Sequence, residues 1–142
     1  MIQSNIKPTD EALEAYQKLS RSKCQYVIFH ITKKNGMEVI DVDKVGEKNS
    51  DQDASWDEFC DNLPEDSGRY GVFDIRWTMD DGRLRDSVCF VGWTPDNCKI
   101  RQKMLYGATL ESFKGQLEGI KSTIVAHDQS DLSDGREEVL KK

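Results

Sequence analysis

Residues 26–31 read YVIFHI, β-branched or aromatic at every position except His30. Successive side chains of a strand point to opposite faces, so this run has no face to leave to water. It must lie centrally in a sheet that is covered on both sides. Everything else in the chain has to supply that cover.

The first helix is expected after Pro8, with Thr9 as its N-cap and Asp10 and Glu11 in the first turn. Ala12, Leu13, Tyr16 and Leu19 then form one apolar face. Asn35-Gly36 turns the central strand into a second strand over 37–42. Ser55-Trp56-Asp57-Glu58 has the form of a capping box, opening a short helix with Trp56, Phe59, Cys60 and Leu63 inward and Pro64 closing it. Strands are expected over 70–77 and 88–93, joined at Asp80-Asp81-Gly82, with Thr94-Pro95-Asp96 breaking the sheet. Residues 99–119 predict a long helix with Leu105, Ala108, Phe113, Leu117 and Ile120 mostly on one side and a bend near Gly107. A short strand over 123–126 and a helix capped by Ser133, carrying Lys141 and Lys142 at its favourable end, finish the chain. Hairpins joined by helices imply a mixed sheet, and two wholly apolar strands require helices on both faces. The fold class is therefore α/β, a single domain over 1–142 with a mixed β-sheet sandwiched between helices.

Twenty basic residues against twenty-six acidic ones give a net charge of −6, which argues against nucleic acid as a partner. No apolar run approaches a membrane span and the first residues open no signal peptide, so a soluble protein of the cytoplasm is expected, and separately a monomer. Cys24, Cys60, Cys89 and Cys98 are 36, 29 and 9 residues apart, a spacing poor for zinc, and buried reduced thiols are the expectation. His30 reads as a strand histidine. A thiol enzyme would need Cys98 or Cys24 folded against His127, and nothing local supports that pairing. Glycine-rich phosphate loops are missing, as is the calcium-loop pattern around Asp128, Asp131 and Asp134. No catalytic residue, cofactor or metal is expected, and by elimination the chain reads as a binding module.

One stretch departs from the overall acidity. Lys99, Arg101, Lys103, Lys114 and Lys121 face only Glu111 and Glu118 between residues 99 and 121, a local charge of +3. Cations at a helix N-terminus cost of order 0.3–1 kcal/mol each, which hints at an acidic partner.

Four segments then fall in a telling order: Asn62-Leu63-Pro64-Glu65, Arg69-Tyr70-Gly71-Val72-Phe73-Asp74, Trp93-Thr94-Pro95-Asp96, and Lys99-Ile100-Arg101-Gln102-Lys103-Met104-Leu105-Tyr106. In that order and spacing they resemble the actin-depolymerising factor/cofilin family over nearly the whole chain. The resemblance implies a cofilin-like fold, binding to actin monomers and filaments, and filament severing and depolymerisation on the actin cytoskeleton. It places Ser4, Asn5, Ile6, Arg101, Lys103 and Met104 on the surface that meets both monomer and filament. Ser4 matches a regulatory phosphorylation site. Arg83 and Arg85 in the hairpin, with Arg136 and Lys141 in the last helix, match filament contacts. Phosphoinositide binding is implied but weakened, because Lys114-Gly115-Gln116 leaves one cation where many relatives carry a lysine cluster. Asp86 and Ser87 stand where a second basic hairpin residue often occurs. Two alternatives stay open within the fold: a monomer-sequestering protein with weak severing, and a branch remodeller like glia maturation factor.

Overall fold

The computed structural model describes residues 5–141, so Ser4 and Lys142 lie outside the described residues. The order is β1 (Lys7–Pro8), α1 (Asp10–Ser20), β2 (Tyr26–Lys34), β3 (Met37–Gly46), α2 (Gln52–Asp61), β4 (Arg69–Thr78), β5 (Leu84–Trp93), α3 (Ile100–Lys114), β6 (Ile120–Ala126) and α4 (Gln129–Leu140). Six strands form one sheet in the order β1-β3-β2-β4-β5-β6. The four inner strands pair antiparallel, while β1 joins β3 and β6 joins β5 in parallel at the two edges.

The period-2 alternation of the central strands divides the core in two. Tyr26, Ile28, Phe73, Ile75, Val91 and Trp93 pack with Trp56, Phe59 and Leu63 of the α2 region and Leu132 and Val139 of α4. Val27, Phe29, Tyr70, Val72 and Phe90 pack with Ala12, Tyr16 and Leu19 of α1 and Tyr106 and Phe113 of α3. Helices therefore cover both faces of β2, as its sequence demands. Gly71 allows Phe59 to approach the sheet, since a Cβ there would lie 2.5 Å from the Phe59 Cζ. Asn35 and Gly36 both take positive φ (53° and 78°), the twist that a two-residue hairpin requires.

Several expected boundaries move. β1 was not anticipated, because a two-residue strand carries no periodicity; its pairing of Lys7 with Val39 and Pro8 with Ile40 comes from the sheet edge alone. α2 starts a turn earlier than the expected capping box. Asp51 is the cap, its Oδ1 accepting from Ala54 N at 3.0 Å, and Ser55 is buried inside the helix. α4 likewise begins after Asp128, whose Oδ1 accepts from Asp131 N at 2.8 Å, rather than at Ser133. In both cases an upstream aspartate satisfies the first free amides before the serine is reached. β5 begins at Leu84 instead of 88, because pairing with β4 (Arg76 opposite Asp86, Trp77 opposite Arg85) carries a polar run into the strand. β6 starts at Ile120 rather than 123 for the same reason, its ladder running along β5. α3 runs unbroken through Gly107 and ends at Lys114, not 119.

Thr9 ties the chain's entry to the sheet. Its side chain caps α1 by accepting from Ala12 N at 3.1 Å, its amide donates to Ile40 O at 2.9 Å, and its hydroxyl donates to Asp41 Oδ1 at 2.9 Å. Lys34 Nζ lies 2.6 Å from the other Asp41 oxygen. The Lys34 hydrogen bond, with smaller help from the Thr9 hydroxyl and the Val42 amide, holds the Asp41 carboxyl below its usual range against the opposing effect of burial. A depressed carboxylate stabilises the fold above the unfolded-state pKa, about 3.9, and that stabilisation is lost as pH falls through the folded value. Asp41→Asn is thus expected to be less stable than wild type at pH 7, the gap closing below about pH 4. Chemical denaturation of both proteins at several pH values checks this; a gap that stays constant with pH would remove Asp41 ionisation from the account.

Candidate actin-binding surface

α3 carries two apolar stripes. Tyr106, Thr109 and Phe113 point into the sheet and are buried. Ile100, Met104 and Ala108, spaced four apart, point away from it, with Ile100 74% and Met104 65% exposed. Leu105 and Ala108 were expected on the inner face; they line the outer one instead. A helix apolar on two sides is only half used by its own core, and the other half is exposed and available to a partner.

The inner stripe is anchored firmly. Tyr106 OH accepts from Ile31 N at 2.8 Å, the Tyr106 carbonyl accepts from Tyr70 OH at 2.5 Å, and Gln102 Oε1 accepts from Gly68 N at 2.7 Å. Burial pushes both phenols above their ordinary range, so they stay neutral donors and acceptors. A Cβ on Gly68 would come within 2.5 Å of the Tyr106 ring, so the glycine lets the loop close on α3. The outer stripe is thereby presented on a rigid element.

Asn5, Ile6, Ile100, Arg101, Met104, Leu105 and Ala108 line a single open groove of 630 Å³. Four residues singled out from the sequence, Asn5, Ile6, Arg101 and Met104, meet there although they are about 100 positions apart. Ile100, Leu105 and Ala108 were missed as part of it. The signal was present as the 100/104/108 spacing, masked by the neighbouring 106/109/113 stripe. Arg101 is 72% exposed and reaches Glu38 at 3.3 Å. Lys103 turns to the opposite flank, donating to the Asp96 carbonyl at 3.1 Å. Lys99 is the N-cap and makes no side-chain cap bond, and no acid stands in the first turn. The free amides and three cations together leave this helix end electropositive, a match for carboxylates.

The other expected residues form separate groups. Arg83, Leu84 and Arg85 sit at the β4–β5 hairpin, around a surface hollow they share with Met79, Asp86 and Lys121. Lys121 was not anticipated there; the parallel pairing of β6 brings it beside the hairpin. Leu84 is 82% exposed, Arg83 pairs with Asp81 at 2.7 Å, and the Arg85 guanidinium lies 5.9 Å from the Trp77 ring centroid. Arg136 turns inward on α4. It lies 2.8 Å from Asp53 and over the Trp56 ring at 5.6 Å, so it clamps α4 to α2. Lys141 lies 3.5 Å from Glu138.

Among the described residues His127 is paired with Thr94 and not with Cys24 or Cys98. The His127 ring nitrogen Nδ1 lies 2.9 Å from the Thr94 carbonyl and 3.0 Å from its hydroxyl. All four cysteines are buried, and burial raises the Cys24 thiol and pushes Cys60 up to about 12. No helix among the described residues is long and apolar enough to cross a membrane.

The family model described as cofilin/tropomyosin-type actin-binding protein matches residues 5–142. The chain belongs to the cofilin family of actin-binding proteins. It is 38% identical over 131 residues to actophorin of Entamoeba histolytica, spanning 92% of this chain and 90% of that one. It is also 30% identical over 132 residues to cofilin of Cryptococcus neoformans, covering 92% and 91%. Among solved structures, Streptomyces griseoflavus cofilin superposes with a TM-score of 0.81 at 32% identity, covering 97% and 96% of the two chains. Actin depolymerization factor 2 of Plasmodium berghei superposes with 0.82 at 26% identity, covering 99% and 96%. The expected mixed sheet between helices is thus the cofilin fold.

Proposed function

We propose that this chain binds actin monomers and filaments in the cytoplasm and promotes filament severing and depolymerisation. The outer stripe of α3 carries the reading: exposed Ile100 and Met104 beside Arg101, on a helix whose first turn carries no acid. Met104 fits an irregular apolar groove, while Arg101 and Lys103 pair with carboxylates. Asn5 and Ile6 extend the same surface. Phosphorylation at Ser4, which immediately precedes them, would add about −1.5 to −2 charges beside a site for an acidic partner and so weaken monomer binding. Arg83, Arg85 and Lys141, with Arg136 supporting the position of α4, form the filament-side contacts. Severing follows from preferential binding to one filament twist, with no cofactor and no catalytic step. Phosphoinositide binding is weak, and the protein acts as a monomer.

Co-sedimentation with preformed actin filaments, paired with microscopy of filament length, tests the proposal. The protein is expected to pellet with filaments and shorten them, and Ser4→Glu to bind monomers more weakly. A second reading, monomer sequestration, is favoured by the pairing of Arg136 with Asp53 and of Arg83 with Asp81, which thins the filament-side charge. Actin shifted to the supernatant with filaments neither decorated nor cut would select it.

A further inference from the structure

A second cavity of 180 Å³ lies on the opposite flank of α3, between that helix and the ends of β5 and β6. Gly92, Trp93 and Tyr106 form its buried floor, and Lys103, Gly107 and His127 stand at its rim. An apolar cavity of about 150 Å³ is large enough to take up benzene, so this one has room for a single aromatic ring.

Two observations show a space kept open beside a charge. Gly107 sits in the interior of α3, where glycine is less favourable than alanine, yet a Cβ there would meet nothing within 4 Å. No packing contact demands the glycine, and the space outside it is open. The Lys103 ammonium has three donors, one of them given to the Asp96 carbonyl, and it has no carboxylate partner among the described residues. His127, tied to Thr94 through Nδ1, holds the facing edge in place.

We propose that this cavity is a binding site for a small monocyclic aromatic carboxylate, its ring over Trp93 and Tyr106 beneath Gly107 and its carboxylate on Lys103. Occupancy would engage the Lys103 ammonium and so compete with an actin carboxylate for it, a consequence that rests on the reading above; ligand binding itself does not. The test therefore contains no actin, and the two readings fail separately.

Benzoate and its neutral analogue benzyl alcohol are titrated into the ¹⁵N-labelled protein. Benzoate is expected to shift the amides of Gly92, Gly107, Leu110 and His127 saturably, with a Kd on the order of 1 mM. Benzyl alcohol on wild type, and benzoate on Lys103→Met, should bind about tenfold more weakly. Gly107→Leu should abolish saturable shifts. Gly107→Ala, whose Cβ would meet nothing, should raise Tm by about 3 °C and leave benzoate binding near wild type, and Lys103→Met keeps the test decisive if the leucine variant fails to fold. No saturable shift below about 20 mM benzoate would overturn the site. Equal affinities for the acid and the alcohol would overturn its anionic ligand, and wild-type benzoate binding by Lys103→Met would overturn its location.

Discussion

Replacing Arg101 and Lys103 together by alanine is expected to abolish detectable actin binding while moving the thermal midpoint by less than about 2 °C. The two effects separate because the side chains do little within the fold. Arg101 is largely exposed, and its single ion pair with Glu38 at 3.3 Å is of the kind worth about 0–1 kcal/mol. Lys103 gives one bond to a carbonyl at 3.1 Å. At an interface the balance reverses. Removing a buried, paired charge costs about 2–5 kcal/mol, mainly through faster dissociation, and each such loss lowers affinity roughly thirtyfold or more. Monomer affinity and a thermal melt of the double variant check both halves. Wild-type affinity would mean that the helix surface assigned to actin is wrong.

Phe59→Ala should produce the largest loss of stability of any single substitution considered. Phe59 is fully buried and stands edge-on to Tyr26 and Phe73, with centroids at 5.4 and 5.7 Å, and tilted against Trp56 at 5.3 Å. Gly71 beneath it leaves no Cβ to settle into the space. With three ring neighbours in one layer, collapse around the cavity is poor. A cost near the upper part of the usual range, about 3–5 kcal/mol, follows. That corresponds to a drop in Tm of roughly 10–20 °C for a domain of this size. Urea denaturation should show a lower midpoint at an unchanged slope. A cost below about 1 kcal/mol would mean that α2 is not packed as described. The groove lies on the other layer, on α3, so the folded fraction should still bind actin.

Burial on both faces of β2 was legible because YVIFHI leaves no polar alternation, and a sheet between two helix layers is the arrangement that satisfies it. Thr9 as a cap and Asn35-Gly36 as a hairpin turn were legible for a related reason: each acts on backbone no more than three or four residues away. Ser55 and Ser133 show where such local reasoning runs short. Each has the chemistry of a cap, but Asp51 and Asp128 reach the free amides first, and the helix is then extended backward by packing of its apolar face.

The site was legible in its chemistry and not in its geometry. The positive charge at the start of α3 and the motif running from Lys99 to Tyr106 could be read from the chain, as could the cofilin-like order of its segments. Which stripe of α3 faces outward could not, because Leu105 and Ala108 are as apolar as the residues that point inward. The choice is made by the Tyr106 and Gln102 hydrogen bonds to β2 and to the loop before β4, contacts spanning 75 and 34 residues that no local pattern records. The same long-range pairing sets Lys121 beside the hairpin arginines, turns Arg136 onto α2 and opens the cavity beneath Gly107. Sequence alone determined which residues must be buried and which charges accumulate, since both follow from side-chain chemistry and period. Tertiary structure alone decided which of those charges remain available to a partner, since that depends on what each one meets across the sheet.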